Sequence, residues 1–98
     1  MDIAGWRKQI DEMDGKLVEL LNQRARAAKE IGRLKRDTNL PVYEPEREKE
    51  IYRSVRMANR GPLLDEALHS IYERIIDVMR NIQKEEILPH ATSKKDDV

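Results

Sequence analysis

The sequence predicts an all-α fold: three helices per chain, one long and N-terminal and two shorter, completed as a homodimer. Three observations lead there. Apolar residues recur at spacings of three and four, and nothing alternates with period two. The helix-breaking residues gather around Pro41 and at Gly61-Pro62, which divides the chain in three. Of the 98 residues only 39% are hydrophobic and none is Phe, too little apolar material for a self-contained core.

The first helix is read from Ile3, Trp6, Ile10, Met13, Leu17, Leu20, Ala27, Ile31 and Leu34, a stripe interrupted once, at Arg24. It is placed at about 3 to 37, with Asp37-Thr38-Asn39 and Pro41 marking its end. Such a helix is about 50 Å long, against roughly 25 to 30 Å for a compact domain of this size. It therefore projects into another subunit, and pairing the long helices of two chains covers both stripes. The second helix opens at Glu44-Pro45-Glu46-Arg47-Glu48, where proline suits the first helical position and the carboxylates suit the positive end of the dipole. Ile51, Val55 and Ala58 give it a narrow apolar face, and it ends before Gly61-Pro62. The third carries Leu64, Leu68, Ile71, Ile75, Val78 and Ile82, with Tyr72, Ile76, Met79 and Gln83 as an adjacent stripe. Residues 1–88 form one helical domain. Residues 89–98 read as a polar tail that cannot bury itself and is expected to be disordered.

Composition excludes several functions. Lys+Arg 19 against Asp+Glu 19 leaves no basic excess for nucleic acid. No apolar run approaches a membrane span and Met-Asp-Ile lacks the layout of a signal peptide, so the expectation is a soluble cytoplasmic protein. There are no cysteines, and His69 and His90 are too far apart in sequence for a helical ligand pair; both read as solvated, and no metal site is expected. Ser54, Ser70 and Ser93 have no His and carboxylate company, so covalent catalysis has no candidate.

What remains is a set of cations and one amide. Arg24 holds a core-facing position in an otherwise apolar stripe and is either a seam ion pair or an anion site. Lys35 follows eleven residues later, on nearly the same face about 16 Å along, and the two bracket room for a small ligand. Taken alone, Lys35 reads as a cation favoured by the helix C-terminus. Arg7 lies about 25 Å from Arg24 and can reach its site only from the other chain of an antiparallel pair. Alone, it reads as a surface partner of Asp11. Arg47 is an odd choice in a first helical turn, with Glu44 or Glu48 as its available partners. Gln83 alone reads as solvated. Gly32 costs about 1 kcal/mol inside a helix, read either as tolerance or as a close approach.

In order, Arg7-x-x-Ile10-Asp11-x-x-Asp14-x-x-Leu17, Leu20-Leu21-x-x-Arg24 and Ile31-Gly32-x-x-Lys35 resemble the first helix of the all-helical class of chorismate mutases. Pro41-Val42-Tyr43-Glu44-Pro45-Glu46-Arg47-Glu48 is similar to that family's loop and second-helix start, and Ile75-Ile76 with Arg80 and Gln83 to its third-helix signature. The resemblance covers about residues 3 to 86. It implies an intertwined helical homodimer with two sites that converts chorismate to prephenate by a [3,3] rearrangement, with no cofactor and no covalent intermediate, on the way to phenylalanine and tyrosine. By position, Arg24, Arg47 and the partner chain's Arg7 would hold the two carboxylates. Lys35 and Gln83 would bond the ether oxygen, and Glu48 with the Glu44 region the ring hydroxyl. Where the family usually has Ser before the third-helix Arg, this chain has Met79, and a hydroxyl contact to a carboxylate is lost. Two alternatives accompany this reading: an isochorismate-pyruvate lyase of the same fold, and a non-catalytic helical dimerisation or regulatory module. The same residues also fit a mutase docked on another shikimate-pathway enzyme.

Overall fold

Asp2 starts the first helix by accepting a hydrogen bond from the Gly5 N–H at 2.8 Å, which satisfies one of the free donors of the opening turn. In the computed structural model, which describes residues 1–88, that helix, α1, spans Ile3–Thr38. Asn39 ends it in the left-handed conformation, at φ 61°. The Lys35 carbonyl accepts from both the Asn39 and Leu40 N–H groups, so the chain reverses on the last turn. Helix α2 spans Pro45–Ala58 with proline at its start, and α3 spans Asp65–Ile87. Between them Asn59 organises the turn: its Nδ2 donates to the Leu63 carbonyl and to Asp65, and its Oδ1 accepts from Gly61 N–H. Gly61 sits there at φ 73°, which only glycine adopts without strain. The described residues contain three helices and no strand, as the periodicity predicts. The tail expected over 89–98, with His90 and Ser93, lies outside the described residues.

Helix α3 packs on the C-terminal half of α1, and α2 packs on α3. Tyr52 of α2 stacks on His69 of α3 with ring centroids 4.2 Å apart, and His69, read as solvated, is indeed an exposed ring, 3.7 Å from Glu73. Burial raises the Tyr52 pKa above its ordinary value, and the carboxylates of Glu73 and Glu48 add to the rise.

The faces in contact differ from the heaviest apolar stripes. Within the chain α1 buries Ala28, Gly32 and Lys35, and α3 buries Ile76 and Met79. The larger residues of the predicted stripe point elsewhere. Ile3, Trp6, Ile10, Met13, Leu17 and Leu20 are 50 to 68% exposed, and Ile31 and Leu34 are exposed too. Ile71 and Val78 of α3 share this exposure. The reason is steric: two helices approach most closely through small side chains. A Cβ built on Gly32 would lie 2.9 Å from the Gln83 Cα and 3.1 Å from its carbonyl oxygen. Of the two readings left open for Gly32, close approach is the one observed. The long axis is 53 Å, set by α1, whose N-terminal half has its large apolar side chains exposed among the described residues.

Gly32→Ala is expected to destabilise the fold by about 1–3 kcal/mol, because the backbone it strikes cannot rotate aside. Gly15→Ala, where an added Cβ meets nothing within 4 Å, is expected to raise stability by up to about 1 kcal/mol. Denaturant unfolding of the two variants checks the opposite signs.

Candidate functional site

Seven of the eight residues singled out in the sequence, Arg24, Lys35, Glu44, Arg47, Glu48, Met79 and Gln83, line one cavity of about 460 Å³ between the three helices. Helical spacing explains the α1 wall: Arg24, Ala27, Ala28, Ile31 and Lys35 recur on one face. Ala28, Ile76 and Met79, the buried hydrophobic residues among those described, form part of the lining. Core and cavity wall are therefore the same side chains. Arg7 is the exception: it is exposed, lies seventeen residues before Arg24 on a continuous helix, and is about 25 Å away along the axis. The Arg7–Asp11 pair that its position suggested is not formed.

Lys35 is 7% exposed and fully engaged. Its Nζ donates to Gln83 Oε1 at 2.9 Å and to the Val42 carbonyl at 3.0 Å, and pairs with Glu44 Oε1 at 2.6 Å. Two of the three ammonium hydrogens are thus committed to hydrogen bonds, and the Glu44 carboxylate balances the charge. Lys35, which taken alone reads as a cation favoured by the helix C-terminus, and Gln83, which taken alone reads as solvated, are each other's partner across the α1–α3 contact. Because the Gln83 oxygen accepts from Lys35, its Nε2 hydrogens remain for another acceptor. The contact depends on Gly32, which brings Gln83 against α1 one turn before Lys35.

Arg80 makes the strongest pair in the cavity. Its Nε donates to Glu48 Oε2 at 3.0 Å and its Nη2 lies 2.7 Å from both carboxylate oxygens. These hydrogen bonds raise the Arg80 pKa above its ordinary value, outweighing the opposing effect of burial. Arg80 was quoted in the sequence only as part of a signature, without a role. Its position on the Ile76, Met79 and Gln83 side of α3 was the available signal; the partner, 32 residues away on another helix, was not. Arg47 does not pair with Glu44 or Glu48 as expected, since both are taken. It lies 3.6 Å from Glu50 in an ion pair exposed on both sides, which contributes little. Arg24 is half-buried and has no hydrogen bond or ion pair with the described residues.

The lining thus carries four cations, Arg24, Lys35, Arg47 and Arg80, against two carboxylates, Glu44 and Glu48. Two cations are neutralised by close pairs, leaving Arg24 and Arg47 for an incoming anion. An arrangement of this kind can bind a small dianion and present an ammonium and an amide to a neutral oxygen acceptor. None of the helices described here is long and apolar enough to cross a membrane.

Comparison with known proteins gives a consistent result. The family model for chorismate mutase type II matches residues 6–84. A bifunctional chorismate mutase/prephenate dehydratase of Aquifex aeolicus is 42% identical over 82 residues, which are 80% of this chain and 23% of that protein. This chain thus spans about a quarter of that relative. A chorismate mutase of Methanocaldococcus jannaschii is 33% identical over 85% of both chains. The crystal structure of Helicobacter pylori chorismate mutase in complex with prephenate superposes with a TM-score of 0.80 at 28% identity, covering 89% of this chain and 94% of that one.

The two kinds of charge in the cavity are expected to differ in stability without any ligand. Arg24→Met should leave stability unchanged or raise it, as no pair is broken. Glu48→Ala should lower it by about 1–2 kcal/mol, a reduced figure for a pair that remains a fifth to a quarter exposed. Urea unfolding of both variants decides; equal losses would show that Arg24 is held by the fold as Glu48 is.

Proposed function

The chain belongs to the type II chorismate mutase family, and we propose that the cavity between α1, α2 and α3 is where it converts chorismate to prephenate. The observation that carries the assignment is the division of labour among its charges. Two arginines are left without strong partners, while an ammonium and an amide are locked to each other beside them. A [3,3] rearrangement needs neither nucleophile nor base. It needs the extended substrate folded into a chair-like conformer, and stabilisation of the charge growing on the breaking ether oxygen. Arg24 and Arg47 meet the substrate carboxylates, and Lys35 and Gln83 the ether oxygen. A rate gain of about 10⁶ requires roughly 8 kcal/mol, within reach of conformer selection and a preorganised donor pair.

In the free site Lys35 already holds three partners, so one contact must yield when substrate enters. Glu44 is the one that can, because its side chain is half-exposed, whereas the Val42 carbonyl is fixed in the backbone and Gln83 by the helix crossing. Released, Glu44 and the neighbouring Glu48 are left to accept from the ring hydroxyl. Met79 presents an apolar wall where the family usually has serine, so this chain holds the carboxylate nearby without that hydroxyl.

We also propose that the chain acts as a homodimer in which the exposed stripe from Ile3 to Leu20 packs on a second copy, and Arg7 enters the partner's cavity. The unpartnered half of α1 and the position of Arg7 support this.

Purified chain should form prephenate from chorismate; salicylate and pyruvate from isochorismate would instead identify a lyase. Arg24→Ala should abolish turnover while the helical dimer persists. Lys35→Ala and Gln83→Ala should depress kcat more than they raise KM, since their contact strengthens as charge develops.

Co-refolding inactive Arg7→Ala chains with inactive Arg24→Ala chains tests the trans arrangement. Both lesions fall in one site of each mixed dimer, and the other site is intact. With random assortment about half the dimers are mixed, and roughly a quarter of wild-type activity should return. No recovery, with mixed dimers demonstrated by mass, would place Arg7 outside the partner's site.

A further inference from the structure

We propose that Arg80 is a positioning residue: it cancels the charge of Glu48, so that a dianionic substrate can enter a cavity that contains a carboxylate. This rests on the reading of the cavity as the mutase site. Glu48 is about four-fifths buried and lines the same space as Arg24 and Arg47. Without a close counter-charge it would repel the carboxylates that those arginines bind, and in a site of low dielectric such repulsion is large. Arg80 supplies the counter-charge from α3 with a fork that engages both carboxylate oxygens.

Two further contacts fix the fork. Arg80 Nη1 donates to Asp77 Oδ1 at 3.0 Å, one turn back on the same helix, and the guanidinium lies 5.3 Å from the centre of the Tyr43 ring. Tyr43 precedes Glu44 in the loop after α1, so one side chain ties α3 to α2 and to the loop that carries the yielding carboxylate. With Arg80 bound to both of its oxygens, Glu48 keeps lone pairs for the ring hydroxyl and a fixed orientation in which to present them.

Steady-state kinetics with chorismate and the melting temperature would be measured for Arg80→Met, Arg80→Lys, Glu48→Gln and the double variant. Arg80→Met should raise KM about tenfold and change kcat less than about threefold. Arg80→Lys, which keeps the charge, should stay within about threefold of the wild-type KM. Adding Glu48→Gln to Arg80→Met should recover most of the lost KM, because the isolated charge is gone. A merely structural Arg80 would give no such recovery. If Arg80→Met does not fold, Arg80→Gln, which loses the charge and keeps one polar amide donor, carries the same comparison. A wild-type KM in Arg80→Met, an Arg80→Lys as poor as Arg80→Met, or a double variant no better than Arg80→Met overturns the proposal. An active wild type in those cases leaves the mutase reading standing; a wild type that makes no prephenate overturns both.

Discussion

The approach of α3 to α1 at Gly32 is the constraint from which the rest of the structure follows. With no side chain at that point, the backbone of Gln83 lies where a Cβ would be, and the two helices cross at backbone distance. Lys35 then falls one turn beyond the crossing, where its Nζ meets the Gln83 oxygen and the Val42 carbonyl. The same residue closes the helix through its own carbonyl, which accepts from Asn39 and Leu40. A single position thus fixes a helix crossing, a helix end, the course of the following loop and a buried ammonium. The usual cost of glycine in a helix, about 1 kcal/mol, is offset by contacts that no larger residue permits.

Stability and function are unusually hard to separate in this chain. Its buried apolar side chains, Ala28, Ile76 and Met79, also wall the cavity, and its buried charge, Lys35, is the donor at the centre of the proposed chemistry. Among the described residues no other buried apolar side chain forms a core behind the site. What rigidity the cavity has comes from polar pairs that span elements: Lys35 with Gln83 and Glu44, and Glu48 with Arg80. Each joins groups that would be costly to leave unpaired, so the network is held together by the penalty of breaking it more than by the gain of making it.

Three helices, their ends and their order were legible in the sequence because they depend on local patterns: spacing of apolar residues, proline at a first turn, Asn39 and Gly61-Pro62 at the breaks. Seven candidate residues, singled out by their spacing and by the ordered positions of the family resemblance, line one cavity. Arg7 remained apart, as a straight helix requires. The face that α1 turns to α3 was not singled out, since a count of bulk favours the stripe of Leu17, Leu20 and Ile31, assigned to the pairing of two chains, whereas the contact within the chain selects for small residues such as Ala28 and Gly32. Pairings were illegible for a different reason. Arg47 beside Glu48 in sequence looks like a pair, yet the partner of Glu48 is Arg80, brought from 32 residues away by α2 packing on α3. Nothing in a linear spacing encodes which of two arginines arrives with the better fork.

The unpartnered Arg24 and the weakly partnered Arg47 have a consequence outside the cavity itself. Charges that the fold leaves uncancelled in a recess shape the potential in the water beyond it, and a doubly negative solute approaching by diffusion feels that potential before any contact forms. The field fades over roughly 8 Å at physiological ionic strength and reaches farther as salt is removed. On the proposed reading, capture of a dianion would depend on the medium as much as on the protein, while chemistry beside the buried Lys35 would be insulated from it. Ionic strength should move the second-order rate constant and leave the turnover of bound substrate nearly still.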